Sequence, residues 1–311
     1  MVDGISGQVL GYQALPLAAV TVAVGLLGAL ALWSRPRVAW AWALGALGLA
    51  CAVLAGSWVE TGWTSTADLL SALVAGVGVV ALLAQHPTPT GHPAVLLTLL
   101  GTFMGFGALW PEPAMRVWAL GAVGPVLIAA LIRFGAPRDG GWWIGVGLFG
   151  VGLAVLALRP FVESEAATLL GLIVVALFLP VFPLHGAFIV TVTRLPGTAT
   201  AVFAVLLPVL GFSELLALAP TLPNPWRSAL LGVAALTAVF GSLKALVQLR
   251  MEGVVAYSQF VQMALLLWYV VAAYGREPVL TETALYLLVA VLLIWSGLHL
   301  AASQVRARFG S

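Results

Sequence analysis

Charge is what this chain has least of. Of its 311 residues only 8% are Asp, Glu, Lys or Arg, and no run of Lys or Arg could track a phosphate backbone. Nucleic-acid binding is thereby set aside. The one cysteine, Cys51, excludes an intrachain disulfide and, inside an apolar run, reads as a small buried residue. There is no Cys-x-x-Cys, no glycine-rich phosphate loop, no haem-type pair of histidines on facing spans and no base near Ser258 in sequence. Redox and serine-nucleophile chemistry therefore have no carrier in the chain, and no cofactor is expected. No metal is expected either: His86 and His92, in QHPTPTGHP, read as a solvated loop. The N-terminal MVDGISGQVLGYQ lacks a basic region and a cleavage site, so the first apolar segment is expected to act as the insertion signal.

What is abundant is hydrocarbon. Hydrophobic residues make up 62% of the chain, and the mean hydropathy is +1.11. The solvent for such a surface is lipid. At roughly 20 apolar residues per span, about eleven segments qualify. They lie near 13–33, 38–58, 67–85, 93–110, 115–134, 141–158, 165–183, 198–219, 226–248, 254–274 and 283–304. Connections are short. The expectation is an all-α polytopic membrane protein, 1–311 forming a single membrane domain. Thirty-four glycines suit closely packed membrane helices, Gly101 and Gly105 being one small-xxx-small pair.

The Lys/Arg bias predicts an outside N-terminus and a cytoplasmic C-terminus. Inner connections then hold Arg35, Arg37, Arg133, Arg138, Arg194 and Arg250, and the inner tail holds Arg306 and Arg308. Outer connections hold Arg116, Arg159, Arg227 and Arg276, with Glu60, Asp68, Glu112, Glu163, Glu165, Glu277 and Glu282. Tryptophans such as Trp33, Trp58, Trp110, Trp142, Trp143 and Trp226 fall near span ends, as an interfacial belt would. The expected location is the cell inner (cytoplasmic) membrane, with multiple passes. No tandem repeat is visible.

The seventh span is broken. Phe178 to Gly186 reads FLPVFPLHG, so Pro180 and Pro183 interrupt an apolar run just before His185. A break frees backbone carbonyls, which membranes tolerate only where protein or trapped water covers them. Transporters place ion paths at such breaks. Intramembrane ionisable residues are few: Glu214 in the eighth span, Lys244 in the ninth, His299 in the eleventh, with His185 after the break. At 1.5 Å per residue Glu214 is roughly 24 Å from the inner end of its helix and Lys244 about 9 Å. A gap on the order of 15 Å separates their levels. One reading is a partial hydrophilic track of an outer carboxylate and an inner Lys/His group. The other is that both charges snorkel to opposite surfaces. Gln248, Gln259 and Gln262, about the ninth-to-tenth turn, suit helix–helix glue, and Gln248, Gln262 and Tyr257 read as polar glue or a relay.

Two segments resemble the antiporter-like membrane subunits of respiratory complex I and the related Mrp cation/proton antiporters. FLPVFPLHG followed by RLPGTAT (Arg194 to Thr200) is similar to that family's K-x-P-x-x-P-x-H-G-W-L-P and its later A-P-T segment: Pro180, Pro183, His185, Gly186 and Pro196 match. FGSLKALVQLRMEGVVAYSQFVQM, Phe240 to Met263, resembles the family's ninth-to-tenth connection, with Ala245, Gln248, Ala256, Tyr257 and Ser258 matching. The resemblance implies a five-helix repeat with flanking spans over 93–274 and an incomplete second repeat. It also implies a fifth-span glutamate and lysines in the seventh and eighth spans. Here the motif lysine is Phe178, the eighth-span lysine position is Val209, the fifth span has no acid near Trp118–Ala119, and the final histidine is Gln262.

The resemblance and its departures together imply a degenerate antiporter-like subunit of a multi-subunit proton-translocating complex, most similar to complex I, with other membrane subunits and lipid as partners. Its role would be mainly structural, with residual conduction at most through Glu214, Lys244, His185 and His299. No catalysis is expected in the chain itself, though the whole would be an NADH:quinone oxidoreductase-type translocase. Two alternatives remain: the membrane subunit of an inorganic-carbon uptake system paired with a soluble catalytic subunit, and a free-standing ion-coupled transporter.

Overall fold

A computed structural model describes residues 3–61, 66–110, 112–134, 139–219, 222–273 and 278–309. Arg138, Arg276 and Glu277, assigned to connections from the sequence, lie outside them. The described chain is built from α-helices: α1 Asp3–Ala31, α2 Pro36–Thr61, α3 Thr66–Ala84, α4 His92–Ala108, α5 Pro113–Phe134, α6 Gly140–Leu158, α7 Ser164–Phe178, α8 Gly186–Arg194, α9 Ala199–Leu218, α10 Asn224–Leu246, α11 Met251–Ala273 and α12 Pro278–Phe309. Ten of them are long and apolar enough to cross a membrane, and the stretch Glu165–Phe178 of α7 is apolar but shorter. The all-helical multi-pass architecture expected from the sequence is what the chain adopts.

The seventh segment departs from its expected bounds. Apolar residues continue to Phe182, yet α7 stops at Phe178. Proline disfavours helical backbone in the residue before it and supplies no N–H of its own. Leu179, preceding Pro180, accordingly turns extended (φ −83°, ψ 98°). The Phe182–Pro183 peptide is cis. The chain resumes helix at Gly186 as the short α8. At the other extreme α12 runs to Phe309, so Arg306 is a helical residue rather than part of a tail.

The chain divides into two compact units, one reaching to Leu120 and including Pro196–Val202, the other comprising Gly121–Leu195 and everything from Phe203. In the first, α1 packs on α2 and α4, and α3 on α2 and α4. Small residues Ala18, Ala29, Ala39 and Ala43 bring α1 and α2 close around Val22, Leu47 and Leu99. Trp40 Nε1 donates to the Leu82 carbonyl at 2.7 Å. Gln85 Oε1 accepts from both the backbone N–H and the hydroxyl of Thr198 (3.2 and 3.1 Å). Gly197 beside it has φ +52°, a conformation that favours glycine. His86 is exposed, but His92 departs from the solvated loop expected of it. His92 opens α4, is 2% exposed, and meets the Trp33 ring edge-on at 4.5 Å. An aromatic on the turn after α1 covers it.

The second unit carries the break. Here α6 packs on α7 and α8, and α11 on α8, α10 and α12. The part of α9 in this unit is nearly all interior: Leu206, Leu207, Leu210 and Leu215 are fully buried. Elsewhere large apolar side chains face outward, among them Leu236, Val239, Ile294 and Trp268. In lipid such exposure carries no hydrophobic penalty.

Candidate functional site

The break fixes the surroundings of His185. Phe182, inside it, donates its backbone N–H to the Thr237 hydroxyl of α10 at 3.1 Å, so a donor freed by the lost helix is covered by protein. The His185 ring is enclosed by aromatic rings: Phe260 at 4.9 Å, Phe240 at 5.1 Å, Phe182 at 6.0 Å and Tyr257 at 6.2 Å between centroids. Lys244 carries its Nζ over the same Phe240 ring that meets His185, 5.8 Å from the centroid. The structure thus brings His185, Tyr257 and Lys244 to one neighbourhood. Pro180 and Pro183 bound it.

Glu214 is elsewhere. The residue is 4% exposed in α9, and its carboxylate pairs with Arg159 at 2.5 Å. Arg159 begins a single 3-10 turn, Arg159–Phe161, that caps the end of α6. The sequence marked Arg159 only as a connection arginine. The available signal was charge economy: a buried carboxylate needs a cation, and few bases lie at that end of the helices.

His299 is also separate. It is 2% exposed on α12, and its Nε2 lies 2.8 Å from Gln259 Oε1 on α11. The Gln259 amide nitrogen donates in turn to the Ala204 carbonyl of α9 at 2.7 Å. Gln259 is therefore the amide that joins helices. Gln262 is exposed on α11, and Gln248 folds its side chain over Gly253 in the turn between α10 and α11.

At the opposite end of α6 from Arg159 lies a second set of ionic contacts. Asp139 caps α6, accepting from the Trp142 N–H at 2.9 Å, and pairs with Arg194 at 2.6 Å. Those bonds, with the Arg194 charge, hold the Asp139 carboxyl below its ordinary value. Arg306 donates to the Thr193 and Leu195 carbonyls (2.9 and 3.0 Å) and lies 3.7 Å from Glu252. It covers carbonyls that the end of α8 leaves without helical donors. Among the described residues, no three His, Cys, Asp or Glu are grouped to hold a metal.

Residues 150–308 match the family described as NADH:quinone oxidoreductase/Mrp antiporter, TM. The chain belongs to that family. The matched stretch contains the break, the Arg159–Glu214 pair and the His299–Gln259 contact. The fold is similar to a chain of respiratory complex I from Thermus thermophilus with bound aureothin, at TM-score 0.60 and 17% identity over 93% of this chain and 87% of that one. It is also similar to a chain of the Mrp complex from Dietzia sp. DQ12-45-1b, at TM-score 0.68 and 17% identity over 94% of this chain and 65% of that one. This chain thus spans just under two thirds of the Mrp chain. At such identity the likeness is one of fold. No curated protein matches the sequence. Phe178, at the end of α7, is 5% exposed, and Val209, in α9, is fully buried.

Proposed function

We propose that this protein is an antiporter-like subunit of a multi-subunit ion-translocating complex of the complex I or Mrp kind, with the scaffold kept and the central proton carriers given up. It sits in the cytoplasmic membrane with its N-terminus outside, among other membrane subunits. The observation that carries the reading is the packed hydrocarbon at Phe178 and Val209. A proton relay needs groups whose protonation changes as a partner moves, and neither side chain has one. The four candidate ion-path residues favour the same reading. Glu214 is tied to Arg159, and His299 to Gln259. His185 and Lys244 both lie against the Phe240 ring, so residual conduction falls to them. The role is mainly assembly.

Purification in mild detergent tests the first half: the chain is expected to run within a larger assembly, and a monodisperse monomer overturns the proposal. Proton movement in vesicles tests the second. Lys244→Ala and Glu214→Ala are expected to reduce it only modestly, whereas near-total loss with assembly intact would establish a working channel.

A further inference from the structure

We propose that the lipid-facing side of the α1–α2 hairpin binds one anionic phospholipid, its phosphate on Arg35 and Arg37 and an acyl chain in the groove beneath them. This site is independent of the subunit reading and needs only a membrane around the chain. α1 and α2 leave a groove of about 340 Å³, in which Val20, Thr21 and Val24 face Trp42, Gly45 and Leu49. The two polar side chains in its wall are already committed. The Trp42 indole N–H donates to the Val24 carbonyl at 3.3 Å, and the Thr21 hydroxyl to the Ala18 carbonyl at 2.7 Å. Hydrocarbon is therefore the occupant that leaves no hydrogen bond unmade there. A helix, about 10 Å across, would bridge such a groove, whereas an acyl chain lies within it.

The charge above the groove selects the head group. Arg35 opens α2, its carbonyl accepting the Ala39 N–H at 2.9 Å. Arg35, Val38, Trp42, Gly45 and Leu49 recur at helical spacing, so Arg35 tops the stripe that walls the groove. At 1.5 Å per residue Gly45 lies roughly 15 Å below it, about the hydrocarbon depth of one leaflet. Arg35 and Arg37 are both exposed, and neither has an ion pair among the described residues. The acids of this unit are Asp3 at the start of α1, Glu60 at the end of α2, Asp68 at the start of α3 and Glu112 beyond the end of α4. All four belong to helix ends remote from the α1–α2 turn, so the unit supplies these arginines no counter-charge of its own. Guanidinium groups match phosphate oxygens two at a time. A phosphate joined to hydrocarbon answers both halves of this surface, and two arginines without a neighbouring acid favour a head group of net negative charge.

The test takes the full chain from native membranes, with whatever subunits accompany it, into phosphatidylcholine nanodiscs. It then adds phosphatidylglycerol carrying a diazirine on one acyl chain and maps the photoadducts by mass spectrometry. Saturable labelling of Val20, Val24 or Leu49 is expected, about tenfold above that by the matching phosphatidylcholine probe at the same mole fraction. Arg35→Gln combined with Arg37→Gln should bring the labelling down to the phosphatidylcholine level. Gly45→Leu should abolish it with the fold intact, because a Cβ at Gly45 meets open space. Equal labelling by the two probes, or labelling spread evenly over lipid-facing helices, overturns the site. So does undiminished labelling in either variant; should the double arginine variant lose its fold, Gly45→Leu and the comparison of probes decide. A photocrosslink in native membranes from Leu49 to another subunit would show a partner helix over the groove and would likewise overturn it.

Discussion

The imidazole Nε2 of His299 lies 2.8 Å from Gln259 Oε1, and the other end of that amide donates to the Ala204 carbonyl at 2.7 Å. Because the nitrogen end of Gln259 is committed to a carbonyl, its oxygen faces the ring, and Nε2 must carry the hydrogen. One side chain thus joins three helices. Gln259→Leu and His299→Leu should each lower stability by about 1–2 kcal/mol, the scale for stranding a buried polar partner. Their double-mutant coupling should be about 0.6–1.7 kcal/mol, the range for membrane hydrogen bonds. Thermal unfolding in detergent reads both, and strictly additive losses would deny the bond.

The Arg159–Glu214 pair predicts an asymmetry. Arg159→Ala strands a carboxylate that is 5% exposed, whereas Glu214→Gln leaves Arg159, at 29% exposure, a neutral acceptor and access to solvent. The first should cost about 2–3 kcal/mol, under the 3–5 of a fully buried pair. The second should cost less, and Arg159→Ala combined with Glu214→Gln should recover part of the loss. Equal costs for the two single variants would remove Glu214 from the interior.

Gly211 sets how closely α9 approaches the break. A methyl group there would fall on the Leu179 backbone, while one at Gly232 meets open space. Gly211→Ala should destabilise by about 1–3 kcal/mol as an overpacking change. Gly232→Ala should be neutral or gain up to about 1 kcal/mol from helix propensity. Melting temperatures of the two variants decide it.

Asp139 gives a pH dependence with a definite sign. Its folded carboxyl titrates below the ordinary value, about 3.9, because of the Trp142 N–H and Arg194. Its contribution is complete above that ordinary value and is lost as pH falls through the folded one. Hydrogen exchange in the first turn of α6 should accelerate with acid in the parent more than in Asp139→Asn, which should already exchange faster near neutrality. The effect should shrink with salt, since the carboxylate is half exposed.

The helices and the break were legible because their causes are local. Runs of hydrocarbon long enough to span a bilayer must satisfy their backbone internally, and Pro180 ends α7 through its neighbour's backbone. The polar partners were not legible. Glu214 and Arg159 lie 55 positions apart, His299 and Gln259 40 apart. His92 looked like loop because nothing nearby in sequence shows Trp33 lying across it.

By itself the sequence determined the solvent, the kind of element and the break at Pro180. Each depends on residue type and spacing along one stretch of chain. Tertiary structure alone decided which of the few ionisable groups are neutralised. Pairing depends on how helices rotate and stack, and no single segment carries that information.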